Sequence, residues 1–447
     1  MAANAEPLNL LSDLMGRATR AGADAADAVY FDAASLSVAQ RLGEPEKLER
    51  AESCDLGLRV FVGKRQAIVS STDFAPEVLD ELVERAVAMA RIATEDPYCG
   101  IADPSQLVGD FPELDMCDPT EPTVEDLTDL AVRAEDAARA VEGVTNSEGA
   151  EAGWSRANIA VAATNGFAQS YSMSSQSFSA SVIAGEGTGM ETDYDYDSAV
   201  YGSDLKSPEE IGRSAGERAV ERLNSRKVKS QQVPIIYDRR ISSGMVRHLA
   251  GAINGASIAR GTSFLKDSMG KAVFDSGISI IDDPHRARGL RSKPFDGEGI
   301  ANSRRTLIKG GKLTTWVLDL ASSRQLGLET TGHASRGTSS PPSPGTTNVY
   351  MENGSVSVAE LMADIKSGLY ITQMIGMGVN GVTGDYSRGA TGFWIENGAL
   401  AYPVSEVTIA GSLIDMFANL RVADDLVFRH GVDAPTLRVD GMTVAGI

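Results

Sequence analysis

Residues 376–411, GMGVNGVTGDYSRGATGFWIENGALAYPVSEVTIAG, constrain this chain more than any other stretch. Six glycines fall within 376–392, interleaved with aromatic and β-branched residues, and a strand-like run follows. Glycine adds no packing area and costs backbone entropy, so this density marks tight turns, bulges or backbone lying against backbone. Gly376-Met377-Gly378-Val379-Asn380-Gly381 also satisfies G-x-G-x-x-G. A dinucleotide fold needs that string between a strand and a helix, with the helix N-terminus facing the pyrophosphate. Leu369–Thr372 can supply the strand, but Gly384, Gly389, Gly392 and Gly398 leave no room for the helix. Glycine-rich β-structure is the expectation.

With 447 residues the chain exceeds one typical domain, and its 42% hydrophobic content is that of a globular protein. A formal charge of −20 argues against direct nucleic-acid binding, which needs clustered Lys and Arg, and against anionic membrane surfaces. Cys54, Cys99 and Cys117 show no C-x-x-C spacing, so neither a disulfide framework nor a cysteine zinc finger follows. The opening MAANAEPLNLLSDL lacks the basic and apolar regions of a secretion signal, and no apolar run is long enough to span a bilayer. A cytoplasmic location is expected.

Three blocks are expected, 1–117, 118–226 and 233–447. The first reads as a helix over Leu8–Arg20, a strand over Ala28–Arg41, a hairpin of Leu58–Val62 with Ala67–Ser71, and a helix from Pro76 capped by Asp73. The second reads as a helix over Val124–Val141, with Thr123 and Asp126 as a capping box. A meander follows, of Ile159–Ala163, Ala168–Met173 and Phe178–Ala184, and then a helix over Pro208–Leu223. Glu217-Arg218-Ala219-Val220 repeats Glu84-Arg85-Ala86-Val87 within a shared order of helix, strands, helix, which suggests duplication.

Ser225–Gln232 reads as a linker. The third block opens with a strand over Val233–Tyr237 and a helix over Ser242–Ile253. It continues with short strands at Ile278–Ile281, Arg305–Leu307, Thr314–Leu318, Val349–Met351 and Val404–Ile409, and short helices at Val358–Lys366 and Ile414–Leu420. By composition, Gly337–Asn348 is an exposed loop. The fold class is therefore α+β: two related helix/β-sheet subdomains and a β-rich C-terminal domain with glycine-rich strands.

No G-x-S-x-G elbow or phosphate-binding P-loop occurs, and Ser335 and Ser387 have no triad context. Asp193, Asp195 and Asp197 alternate with Tyr194 and Tyr196, so a strand puts the three carboxylates on one face. An edge strand or solvated loop fits them better than a cation site, because Ser198 and Asp204 stand where an EF-hand loop needs Gly and Glu.

Arg260–Leu265 (RGTSFL), Asp296–Gly299 (DGEG), Thr330–His333 (TTGH), Thr347-Asn348, Gly381–Gly392 and Gly441–Gly446 (GMTVAG) form an ordered series. With this series the chain resembles the TldD/PmbA family, in its PmbA (TldE) branch, along essentially its whole length. The resemblance implies a metallopeptidase complex in which a TldD-type chain supplies zinc on an H-E-x-x-x-H helix, two imidazoles holding the metal and a carboxylate acting as base.

None of His248, His285, His333 and His430 is followed by Glu. Starting the motif at His248 puts Leu249 and Ile253 at its other two places; the alternative register gives Val246, Arg247 and Gly251. The late cysteine ligand of TldD-type members is also missing. The resemblance therefore implies a subunit with no catalytic, metal or cofactor residues of its own, paired with a zinc-bearing TldD-type chain. Such a subunit helps to enclose a chamber, binds unfolded or small peptides as extended strands, and takes part in proteolysis and peptide maturation. Arg260, Glu298, His333 and Asn348 are its candidate peptide-groove or interface residues, the alternative for each being turn or inter-strand hydrogen bonding. For Glu298, proximity to Arg304 and Arg305 is the structural alternative. Rival readings are a stand-alone homodimeric hydrolase using Ser335 and His333 or a carboxylate-held metal, and a regulatory binding protein of the gyrase-modulator kind.

Overall fold

The computed structural model describes residues 5–447. In the N-terminal half the order helix–three strands–helix occurs twice. The first set is α1 (Ala5–Arg20), β1 (Ala25–Arg41), β2 (Glu44–Val62), β3 (Arg65–Ser71) and α2 (Pro76–Ile92). The second is α3 (Val124–Arg139), β4 (Val144–Ala163), β5 (Ala168–Ala184), β6 (Glu191–Ala199) and α4 (Pro208–Glu221). The two triplets share one antiparallel sheet in the order β3-β2-β1-β4-β5-β6, joined through the long β1–β4 pairing. All four helices pack on one face of it. Leu11, Leu14, Leu79, Leu82 and Val83 meet Leu56, Leu58 and Val60; Leu127, Ala131, Ile211 and Ala215 meet Trp154, Phe178 and Val182.

Local chemistry sets the helix ends. Thr123 Oγ1 accepts from Asp126 N, and Asp126 returns the bond to Thr123 N, which is the expected capping box. Asp73 does not cap α2: Ala75 is the N-cap, and Asp73 Oδ1 accepts the Ala75 N–H in the turn just before it. The meander is also drawn differently. Ala168–Met173 and Phe178–Ala184 are one strand, and the third is Glu191–Ala199, which carries the alternating aspartates.

In the C-terminal half, β7 (Gln231–Tyr237) leads into α5 (Arg239–Ala252), capped by Asp238. β7 lies between strands 367–375 and 437–445, and 399–412 pairs with both 385–396 and 437–445, so the sheet closes on itself. A five-stranded sheet (312–313, 305–309, 280–282, 349–351 and 432–433) packs with α5 into the same core, around Tyr237, Val246, Leu249, Leu307 and Phe417. Thr314–Leu318 is not a strand; Val317 makes only a bridge to Asn254. No helix among the described residues is long and apolar enough to cross a membrane.

Candidate functional site

The site lies where the C-terminal domain meets the helix-free face of the N-terminal sheet. Part of that face is covered. Phe295 sits edge-on to Phe111, Phe167 and Tyr171 with ring centroids 5.2–5.4 Å apart, and all four rings belong to one apolar cluster. Beside it Gly57 lies against the Thr338 carbonyl, at a point where a Cβ would come to 2.2 Å of that oxygen. Thr338 also donates to Asp55. Gly337–Asn348 is thus not simply an exposed loop: Pro342, Pro344, Thr347 and Asn348 are buried, and the segment braces the two halves.

The rest of the face is open. Lys47, Ser37, Ala39, Gly153, Ser177, Ser179, Tyr194 and Tyr196 line a hollow of about 480 Å³. Ser35, Ser53, Ser155 and Ser175 line a second hollow of about 280 Å³. Because successive strand residues alternate between faces, the helix side of these strands is apolar while the open side carries Ser, Ala and Gly. The result is a shallow polar trough whose backbone lies near its surface. Residues 44–55 of β2 pair only with β1, because β3 begins its pairing at Leu56, so this edge of the trough keeps free backbone N–H and C=O groups.

A buried ion cluster closes the covered end. Asp27 receives Arg59 at 2.5 Å and Arg336 at 2.7 Å, linking β1, β2 and the C-terminal domain. Burial alone would raise the Asp27 pKa, but Arg336 and Arg59 outweigh it and hold the carboxyl low. Glu298 is placed beside Arg59 at 3.8 Å, not beside Arg304 or Arg305. Its Oε2 accepts the Leu320 N–H at 2.9 Å. Burial, and after it the neighbouring Asp296, push its pKa up to about 8.

His333 and Asn348 belong to the same buried polar network. Asp296 accepts from the backbone of Glu298, Ile300 and Ala334. His333 uses Nε2 on Asp282 at 3.0 Å and Nδ1 on Thr331 at 2.9 Å, leaving no ring nitrogen for Ser335. Asn348 accepts from Arg291 N and donates to the Asp283 carbonyl and Ser292. Arg260 takes no part in this network; it is exposed at the end of helix Gly255–Ala259. The three aspartates of β6 stand on an edge strand, and all are buried against arginines. Asp193 meets Arg222 and Arg240, Asp195 meets Arg218 and Arg429, and Asp197 meets Arg429. Guanidinium groups occupy the space a cation would need.

Sequence reasoning passed over Asp27, Arg59 and Arg336, and no local signal marks them. It also passed over the basic run Arg286, Arg288, Arg291 and Lys293, whose density in so acidic a chain was a usable signal.

Zinc does not fit the residues of α5. Leu249 and Ile253 are 0% exposed and belong to the apolar core. His248 leaves Nε2 without a partner, but it faces the Tyr386 ring edge-on at 5.8 Å. Burial, and then Arg388, lower its pKa to about 4. A single imidazole beside a guanidinium is not a divalent-metal site. Among the described residues no three His, Cys, Asp or Glu side chains gather as metal ligands.

Known proteins share both the sequence and the backbone. The family models for PmbA/TldA metallopeptidase domain 1, the central domain and the C-terminal domain match residues 26–90, 117–223 and 230–446. Metalloprotease PmbA of Escherichia coli O157:H7 is 37% identical over 425 residues, spanning 95% of this chain and 92% of its own. The Haemophilus influenzae homolog of PmbA is 37% identical over 432 residues, spanning 96% and 94%. A crystal structure from Bacteroides thetaiotaomicron, described as a modulator of DNA gyrase, superposes with a TM-score of 0.90 at 27% identity over 98% of each chain. TldE from Thermococcus kodakarensis has the same fold, with a TM-score of 0.86 at 20% identity over 98% of this chain and all of its own. Matched from its first strand to its last, the chain belongs to the PmbA/TldD metallopeptidase family.

Proposed function

We propose that this chain is the metal-free subunit of a two-chain peptidase, pairing with a TldD-type subunit that carries the zinc. In that assembly it walls part of the reaction chamber and holds small or unfolded peptides in extended form. Helix α5 and its C-cap carry the reading: with the motif begun at His248, Leu249 and Ile253 are core residues, and in the other register Val246, Arg247 and Gly251 offer neither imidazole nor carboxylate. The trough supports the peptide-holding part. Its short side chains leave room for an added strand, and the free edge of β2 offers main-chain hydrogen bonds that are indifferent to sequence.

The test is affinity capture of the tagged full-length chain from its source organism, with the captured partners sequenced. Recovery of a near-stoichiometric chain bearing H-E-x-x-x-H is expected. Capture of only further copies of the bait, together with peptide hydrolysis by those copies, would overturn the proposal and favour the homodimeric hydrolase.

A further inference from the structure

A cleft of about 200 Å³ lies where the two halves meet beside β6 and α4, with the start of α5 and strand 367–375 as its opposite wall. Arg218, Arg222 and Arg240 line it, and each already has a counter-charge. Arg222 pairs with Glu191 and Asp193, Arg240 with Asp193, and Arg218 with Asp195. Arg429 pairs with Asp195 and Asp197, which completes a balanced set of four guanidinium groups and four carboxylates.

Two further carboxylates line the cleft outside that set. Asp238, the N-cap of α5, accepts from the Tyr370 hydroxyl at 2.6 Å and from Arg240 N at 2.8 Å, but forms no ion pair among the described residues. Glu221, the last residue of α4, has neither an ion pair nor a hydrogen bond among them. Thr372 stands between the two, with its hydroxyl oxygen buried and without a partner. Hydrogen bonds on either side of it fix this placement. Asp238 N donates to the Ile371 carbonyl at 3.0 Å, and Arg222, the neighbour of Glu221, donates to Gln373 Oε1 at 2.6 Å. Thr372 is the extra residue of the bulge between those two anchors. The remaining wall is apolar, formed by the half-buried Phe393 and by Leu400, which is 47% exposed.

We propose that this cleft binds a primary ammonium group carried on a short aliphatic chain. An ammonium has three N–H donors and no acceptor. Asp238, Glu221 and the Thr372 hydroxyl offer it three acceptors, two of them charged, while Phe393 and Leu400 cover the carbon chain. Hydrogen bonds between ionised partners are the strong kind, and these two carboxylates are the ones the arginines leave uncompensated. The volume lies below the about 300–1,000 Å³ of sites for drug-sized ligands, so the occupant is a small amine or a single lysine side chain. Seated there, the ammonium ties α4 of one half to α5 and strand 367–375 of the other. The cleft is separate from the trough, and peptide holding stands or falls without it.

The test is isothermal titration calorimetry of the full chain with n-pentylamine, n-pentanol and pentanoate, and with Nα-acetyl-lysine methylamide. Saturable binding of pentylamine at a single site is expected, with neither the alcohol nor the acid replacing it. E221Q, a change at an exposed helix end, is expected to weaken pentylamine about tenfold. T372V, which removes the hydroxyl and keeps the shape, is expected to weaken it several-fold. E217Q, one turn earlier on α4 and outside the cleft, is expected to leave it unchanged. Tighter binding of the lysine derivative than of pentylamine would support the seat and assign it to lysine side chains; the reverse order would support it and assign it to free amines. Absence of saturable binding by both amines would overturn the proposal. Equal binding of pentanol would overturn it too, as would a loss in E217Q equal to that in E221Q, since that loss would belong to the general negative surface.

Discussion

Asp27 has one carboxylate and two arginines, and the residues it joins are far apart in the chain. Arg336, 309 positions away, donates to its backbone as well as to its side chain. Taking such ions out of water is costly, so the cluster is tolerated only while every member has its partner. D27N leaves Arg59 and Arg336 facing each other without a counter-charge, and a loss of about 3–5 kcal/mol is expected from urea unfolding of the full chain. Glu298 behaves in the opposite sense. Its folded pKa is raised to about 8, so the folded state binds this proton where the unfolded chain has released it. The resulting stabilisation is complete below the ordinary carboxylate range, at about pH 4.3. It is lost as the pH rises through the folded value of about 8. E298Q keeps an acceptor for Leu320 N and cannot ionise. Its urea midpoint is expected to fall less than that of the native chain between about pH 5 and about pH 8.5, and parallel curves for the two would refute the burial account. None of this cluster was legible in the sequence, because an ion pair between residues hundreds apart leaves no spacing to read. Glu298, His333 and Asn348 stood out only through family resemblance, and all three prove to be tied into one buried network.

At the scale of elements, glycine density was a sound guide to β-structure. A Cβ at Gly392 would lie 1.9 Å from the Tyr370 carbonyl, and one at Gly378 would lie 2.0 Å from that of Ser387. Both places are close approaches of strand backbone, the first beside a bulge. G392A is expected to lower the yield of soluble protein and the thermal midpoint markedly, whereas G277A, at a position facing nothing closer than 3.5 Å, leaves both nearly unchanged. Helices were legible where caps and apolar spacing coincide, as at Thr123. T123A is expected to cost about 1 kcal/mol by urea unfolding, since it removes one capping acceptor. Strand β5 read as two pieces for a physical reason. Its open face carries Ser175, Ser177 and Ser179, so the usual alternation of apolar and polar residues fades in the middle. The feature that hid the strand is the feature that makes the trough. Four repeated residues and the shared element order suggested duplication, and the sheet order places the two triplets side by side about the β1–β4 pairing.

At the scale of the molecule, the two halves frame a polar floor with a free strand edge, built on the fold of a metallopeptidase family. Neither register of the motif on α5 supplies a carboxylate or a pair of imidazoles, and the proposed function therefore assigns hydrolysis to a companion chain. Measuring zinc content and peptide cleavage for the purified chain, and again after mixing with the partner recovered by capture, tests this most directly. The expected result is substoichiometric zinc and no turnover for the chain alone, with turnover that a chelator abolishes once the partner is present. One equivalent of zinc in the chain alone, with chelator-sensitive cleavage, would contradict it.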